Sequence, residues 1–578
     1  GIGSDTNPTT QVSNVYQIVE HVSIVRGGHS IKAGGEARKT NYNDRSERYV
    51  RGNFNFTGAM SADPQRRTAT GNSIADMLLG LPLTANGSAT SLAGNFNAFS
   101  YSFFVQDDWK VSSRLTLNLG FRYELNTRYT DVQNRLTLFD SLYPGGRLLI
   151  SGTSTAYIPG RGVVDGPATS RTLLPADANN WAPRIGLAFR PFGDNRTAIR
   201  AGYGVFYTLV ELQENRTWVR NPPFGEVVSL QSNQNGSAGS ADVIRVGELF
   251  PDRGTPASRP LVYGPHMDFP DPYYQQWNFT IQRELPGGTL LEVGYIGSKG
   301  TGLIQRNNFN QAVLDADPSR PTNILARRPY PLFGNTIRIG MNAANSTYHG
   351  MIAKFERRFA AGFSFLTSYT FSKSLDGASL IDSQSRDFYN RALDKGRSQF
   401  DVRQRAVLSG TWEPPVGRGK AMLSAGGFLA GLLGGWQINA IGSFTTGFPF
   451  GVAAQGDICN CGASGQTAEQ VGDPLAGFTR SRLQWFNTAA FVNPRPGTFG
   501  SSGRNILDGP GSATVDASLF RTVSLTERVN IQLRGEFFNA FNRVNFSQPG
   551  AQVNSNSYGI IQGAGAARVI QLAAKMRF

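Results

Sequence analysis

Few residues in this chain have types and spacing that could do chemistry. Two cysteines stand in Asp457-Ile458-Cys459-Asn460-Cys461-Gly462. A metal site needs more ligands nearby, and the four histidines, His21, His29, His266 and His349, lie far off in sequence. In an oxidising compartment Cys459 and Cys461 are expected as a local disulfide, an ornament of a polar, Gly-rich loop. No Ser/His/Asp grouping is recognisable, so neither an enzyme nor a metal or cofactor is expected. Gly202-Tyr203-Gly204 is a glycine pair in a strand, where close packing of backbones is the expected use.

Charged residues at alternating positions are more informative. Arg122, Glu124, Arg200, Lys354, Glu356, Arg534 and Glu536 interleave with apolar residues. Successive side chains of a strand point to opposite faces, so each such strand has a charged and an apolar face. Arg or Lys facing lipid near mid-membrane costs about 2–4 kcal/mol, which directs these charges inward. There they can neutralise one another or meet a passing substrate. Long links carry aromatic groups at Trp218, Phe224, Tyr263, Tyr330, Trp485 and Phe486. Their faces, with nearby amides, suit sugars or peptides, and equally suit loop packing.

The elements that position these residues are strands. Arg568 to Phe578 alternates without a break, with Ile570, Leu572, Ala574, Met576 and Phe578 on one face. A bare amphipathic strand is an aggregation edge in a soluble sheet, whereas the last strand of a closed barrel pairs with the first. Working from the start, strands are expected over 14–26, 30–40, 99–110, 114–129, 183–190, 196–207, 273–284 and 289–298. They continue over 347–359, 363–373, 400–412, 435–444, 514–522 and 528–541. With the terminal strand these make fifteen, and Tyr49 to Thr57 is a candidate sixteenth. A short capped helix is expected at 73–82, ended by Gly80 and Pro82.

Short turns and long loops alternate along this list. Taking Phe578 as the inner end, the links 41–97, 130–182, 208–271, 300–345, 374–399 and 447–511 all fall outside, and the tight turns inside. Transmembrane barrels show this asymmetry, whereas sandwiches and propellers have short turns throughout. The fold class is therefore all-β, a transmembrane antiparallel β-barrel of the outer-membrane type. An odd strand count puts the first residue outside, which implies a missed strand or a chain that begins mid-barrel.

Composition agrees. Charged residues are 17% of the 578, below the ~25% of soluble proteins, and 67 glycines exceed the usual ~7%. The net charge of +15 is scattered, with no zinc-finger spacing, basic heptads or RNA-binding aromatic signature, so no nucleic-acid partner is expected. Residues 426–436 are too short and Gly-rich for the ~20 apolar residues of a helical span, and no signal peptide is recognisable at Gly1.

Tyr101-Ser102-Phe103-Phe104-Val105-Gln106-Asp107-Asp108-Trp109-Lys110, running on to Leu119-Gly120-Phe121-Arg122-Tyr123-Glu124, resembles TonB-dependent outer-membrane receptors. So do Gly503-Arg504-Asn505-Ile506-Leu507-Asp508-Gly509-Pro510-Gly511 and Arg534-Gly535-Glu536-Phe537-Phe538-Asn539-Ala540-Phe541-Asn542-Arg543-Val544-Asn545-Phe546. The likeness is to the Oar-like branch, whose members carry a carboxypeptidase-regulatory-like domain before the plug. It implies a 22-stranded barrel, of which residues 1–578 are an N-terminally incomplete barrel domain lacking plug and regulatory-like domain. It implies a Gram-negative cell outer membrane, a bulky extracellular ligand and active transport through TonB acting on the plug. A passive porin-like channel or structural surface barrel is the alternative, and a soluble lectin-like β-protein a third. The family's C-terminal aromatic, read by the barrel-assembly machinery, falls on Phe578, with Met576, Leu572 and Ile570 on its face.

Overall fold

The computed structural model describes residues 9–46, 52–63, 70–88, 93–208, 218–225, 227–232, 243–246, 259–317, 323–380, 383–463, 465–526 and 528–578. Its main sheet has eighteen strands, fifteen of which form a continuous meander. In chain order these are β1 (Thr9–Arg26), β2 (His29–Ser46), β3 (Ala93–Lys110), β4 (Leu115–Asn126), β5 (Asp177–Phe189), β6 (Thr197–Tyr207), β7 (Tyr273–Leu285) and β8 (Thr289–Asn308). Then come β9 (Ile337–Ala360), β10 (Phe363–Asp376), β11 (Gln404–Trp412), β12 (Trp436–Thr445), β13 (Ser512–Ser524), β14 (Asn530–Phe538) and β15 (Val569–Arg577). Each pairs antiparallel with the next. Short strands Thr130–Asp131, Val262–Pro265 and Gly396–Arg397 extend the sheet at the long-loop end.

Every expected strand is present. Several run further than the alternation suggested, because backbone pairing continues after one face stops being apolar. Asn53–Asn55 does not join the wall. It pairs with Thr84–Ser88, which pairs with Val227–Gln231 in a separate sheet, and residues 49–51 lie outside those described. Among the described residues β1 pairs only with β2 and β15 only with β14. β1 and β15 run the same way, so no antiparallel ladder can join them directly. All residues of β15 are exposed.

Short links hold one end of the wall. The turn between β9 and β10 needs two left-handed residues, supplied by Ala361 (φ 53) and Gly362 (φ 77). A Cβ on Gly362 would come 2.7 Å from the Glu413 carbonyl oxygen. Gly202 and Gly204 serve side chains rather than backbones. The Phe206 ring comes within 2.9 Å of where a Cβ on Gly204 would sit, and the Asn278 amide covers Gly202. The helix Ser73–Leu78 starts where expected, its Asn72 side chain accepting from the Ile74 and Ala75 N–H groups. Buried Asp76 then accepts from Gly58 and Ser61 N–H, both at 2.7 Å, tying the helix to the preceding loop. The Gly-rich link 413–435 contains a short helix, Phe428–Leu433. Among the described residues no helix is long and apolar enough to cross a membrane, which says nothing of strands.

Candidate functional site

The strand registers carry face assignment across the sheet, because directly paired residues share a face. Arg122 pairs with Ala182, Ala188 with Arg200, Arg200 with Thr280, and Thr280 with Gly294. Glu292 pairs with Lys354, Lys354 with Ser368, Ser368 with Val407, and Val407 with Ser443. Asn439 pairs with Ser518, and Ser518 with Glu536. Stepping two residues at a time along each strand, Arg122, Glu124, Arg200, Lys354, Glu356, Arg534 and Glu536 all lie on one polar face. The other face carries Phe103, Phe121, Ile185, Phe279, Leu408 and Leu533, all exposed. Trp181 stacks there on Phe121, with centroids 5.7 Å apart, and lies 4.4 Å from Tyr123.

The polar-face charges meet along their own strands. Arg122 Nε lies 2.6 Å from Glu124 Oε1, and Lys354 Nζ 2.6 Å from Glu356 Oε2. Arg534 reaches Glu536 only at 4.0 Å and bonds Gln532 Oε1 at 2.7 Å. Arg200 donates to Gln282. Pairs this exposed contribute about 0–1 kcal/mol each, so their chief effect is a hydrated wall of balanced charge.

Two partners escaped the sequence reading. Glu36 accepts from Arg38 at 2.6 Å and lies 3.6 Å from Arg122. Their signal was the same alternation, Glu36 and Arg38 on either side of Ala37, in a strand read only for its extent. Glu36, Arg38, Arg122 and Glu124 line a cleft of about 320 Å³ together with Ser102 and Asn126. Ser102 and Asn126 are only 5% and 6% exposed, yet Ser102 Oγ and Asn126 Nδ2 have no hydrogen-bond partner among the described residues. Such atoms demand a polar occupant, so the cleft can hold a hydrogen-bonding solute or water.

The long links pack into a layer with its own cores. Leu136, Leu138, Leu174, Trp218 and Phe269 form one, and Phe139, Leu148, Phe333, Ile337 and Ile339 another. A four-stranded sheet within residues 137–165 supplies both. Polar anchors join the layer to the wall. Arg128, just beyond β4, donates to the Phe269 carbonyl at 2.6 Å and to Asp271, both side chains being buried. Asn180 of β5 donates to Asp271 at 2.9 Å. Asp131 accepts from the Asn95, Gln133 and Arg135 N–H groups and from the Arg135 guanidinium.

Burial pushes the Asp131 carboxyl up, but the Arg135 guanidinium and the Asn95 and Arg135 amides outweigh it and hold the carboxyl below its usual range. A depressed folded-state pKa adds stability above the unfolded value near 4, lost as pH falls through the folded value. Loop stability in the wild type is therefore expected to hold to about pH 5 and then fall. Asp131→Asn is expected to be less stable at pH 7 by about 1–3 kcal/mol and flatter with pH, as read by proteolysis of residues 127–176 across pH. Parallel profiles for the two proteins would refute this role.

The loop aromatics divide by exposure. Trp218 and Phe486 are each 1% exposed and fill loop cores, which gives them packing work. Tyr330 is half-buried, its hydroxyl on the Ser141 carbonyl and its ring edge-on to Phe139, and burial pushes its pKa up. Trp485 donates to the Asp508 carbonyl at 2.8 Å, with Arg480 over its ring. Tyr263 is fixed by its backbone to the Asn221 side chain, and Phe224 follows in the same loop, half-buried. These side chains do not converge on one pocket.

Cys459 and Cys461 are joined as a disulfide. They are not a loop ornament: both are fully buried against Ala312, with Ile324 and Phe499 around them. The turn docks one long link on another, since the Cys461 carbonyl accepts from Ala312 N–H at 3.0 Å and Arg327 donates to the Asn460 carbonyl at 2.6 Å. Asp457 completes the one group among the described residues with metal-ligand types close together. Its sulfurs are bonded to each other and supply no thiolate.

Among solved structures, the outer membrane transporter YddB from Escherichia coli aligns with a TM-score of 0.51 at 11% identity, covering 98% of this chain and 55% of that one. The siderophore receptor PiuA from Acinetobacter baumannii gives 0.42 at 12%, covering 98% and 56%. The ferric yersiniabactin uptake receptor FyuA from Yersinia pestis gives 0.41 at 11%, covering 98% and 55%. This chain thus spans little more than half the length of these proteins, and the first likeness is one of fold. No curated protein matches by sequence. The family described as "Outer membrane beta barrel domain" matches residues 1–571. With its two-faced antiparallel wall, the chain belongs to that family and resides in the outer membrane.

Proposed function

We propose that residues 1–578 are the barrel portion of a TonB-dependent transporter of the Oar-like branch, taking up a bulky ligand from outside the cell. The observation that carries this is the pair of edges, β1 and β15, left without a second partner among the described residues on a fifteen-stranded meander. Bacterial single-chain barrels have even strand numbers, so closing this wall takes an odd number of further strands. Seven would complete 22, the size at which a barrel has a lumen wide enough to need a plug. The balanced polar face then lines the lumen, where Arg122, Glu124, Arg200, Lys354, Glu356, Arg534 and Glu536 face plug and substrate. The packed loop layer stands outside as the receiving surface. Its half-exposed aromatics, Phe224, Tyr263, Tyr330 and Trp485, are the ones positioned to touch a ligand. TonB acts on the plug, and the assembly machinery reads Phe578 with Met576, Leu572 and Ile570.

The coding sequence upstream of Gly1 tests this directly. A plug of roughly 100–150 residues followed by seven strands of two-residue period is the expected result. A nearby start codon with a signal peptide and at most one further strand would remove the plug. Energised transport would then be untenable, leaving a passive sixteen-stranded channel.

A further inference from the structure

One link at the short-turn end stands apart from the rest. Residues 413–435 contain the helix Phe428–Leu433, and its large side chains are not covered. Phe428 is 83% exposed, Leu429 57%, Leu432 48% and Leu433 50%. Met422 and Leu423 are exposed beside them. Only Ala430 of the helix is buried. Contiguous apolar patches of this kind mark an interaction surface. A helix of six residues is far below the ~20 needed to span a membrane, so the segment does not cross one.

Its attachment shows on which side of the wall it lies. Trp436 of β12 and Arg521 of β13 are directly paired, in register with Ile438 and Leu519 on the apolar face. Trp436 Nε1 donates to the Leu432 carbonyl at 3.0 Å. The Arg521 guanidinium donates to the Gly431 carbonyl and lies 5.4 Å from the Trp436 ring. Two side chains of the apolar face therefore hold the end of the helix, and the patch continues that face at its short-turn rim. Arg418 and Lys420 are exposed in the same link, where Glu413 is the only acidic residue.

We propose that residues 413–435 form an interfacial anchor in the leaflet at the short-turn end. The helix lies in the membrane plane with Phe428, Leu429, Leu432 and Leu433 among acyl chains. Trp436 and Arg521 sit at headgroup depth, where an amphipathic ring and a cation each find both phases. Arg418 and Lys420 meet anionic lipid phosphates. The occupant is lipid because the patch is continuous with a wall that already faces lipid and is flanked by cations. This requires only that the apolar face meets the bilayer, and does not depend on transport.

The test uses the full chain refolded into vesicles of phosphatidylethanolamine and phosphatidylglycerol. Nitroxide labels are placed singly at Leu429→Cys and Leu432→Cys, the native cysteines being bonded to each other. Leu519→Cys on the wall and Ser113→Cys in a short turn serve as references. Collision with oxygen over a water-soluble nickel complex is expected to be several-fold higher at 429 and 432 than at 113, approaching the value at 519. A ratio matching position 113 would overturn the proposal, as would low collision with both reagents, which would mean a protein or second copy covers the patch. Diazirine-lipid crosslinking of the unsubstituted protein needs no variant. Adducts on residues 428–433 are expected, and adducts on β13 with none on 413–435 would overturn the anchor.

Discussion

Asp271→Ala is expected to destabilise the loop layer by about 3–5 kcal/mol, because it strands a buried guanidinium without its counter-charge. Asp271 is fully buried, and Arg128 opposite it nearly so. Arg128 keeps its bonds to the Phe269 and Pro175 carbonyls, but those supply partial charge only. Asn180 Nδ2 loses its shorter bond at the same time and keeps only the Asp177 carbonyl at 3.4 Å. Three segments far apart in sequence meet here, so the loss is expected to spread across the first loop core, where Leu138, Trp218 and Phe269 pack. Hydrogen exchange of residues 128–140 in detergent, with urea titration, gives the magnitude. Replacing both partners by apolar residues of similar volume is expected to recover much of the loss. A single-variant effect under about 1 kcal/mol would mean that water reaches Arg128 and that the anchor is not buried in solution.

Phe279→Arg is expected to cost about 2–4 kcal/mol of folded stability in vesicles, and Asn278→Arg, one residue away, close to nothing. Phe279 lies mid-strand in β7, paired with Ala201 and Tyr295 on the apolar face. Asn278 pairs with Gly202 and Ile296 on the polar one. The comparison holds depth and charge fixed and changes only the face. Urea-dependent refolding into phospholipid vesicles measures both variants. Equal losses would mean that the two faces see the same solvent, which would contradict a lipid-facing wall.

The fifteen wall strands were legible in the sequence because their signal is local. Each must show one face to lipid and the other to water, which forces a two-residue period within the segment itself. The terminal run from Val569 to Arg577 and the hairpin of β3 and β4 show it most plainly. Where that demand ends, the signal ends too. β9 begins at Ile337 although alternation is evident only from Thr347, because its first residues extend the pairing with β8 past the apolar band, take Val262–Pro265 alongside, and bury Ile337 and Ile339 in a loop core. Residues 426–436 were legible as too short for a helical span, but the short helix at Phe428 within them was not, because one turn of apolar residues between glycines has no period to detect.

By itself, then, the sequence determined the wall, its two faces and the end at which the long links gather. Partners remained for the tertiary structure to decide. Glu36 is 86 positions from the Arg122 it neutralises, and Arg128 is 143 positions from Asp271. No local pattern encodes such meetings, which depend on how neighbouring strands align and loops fold back. The same holds for burial in the loops. Trp218 and Trp485 look alike in sequence, yet one fills a core and the other stays half in solvent. Cys459 and Cys461 looked like surface residues in a glycine-rich stretch, and only the docking of a second loop buries them. A strand in a membrane answers to its solvent, which the sequence can show, whereas a loop answers to its neighbours, which only the fold supplies.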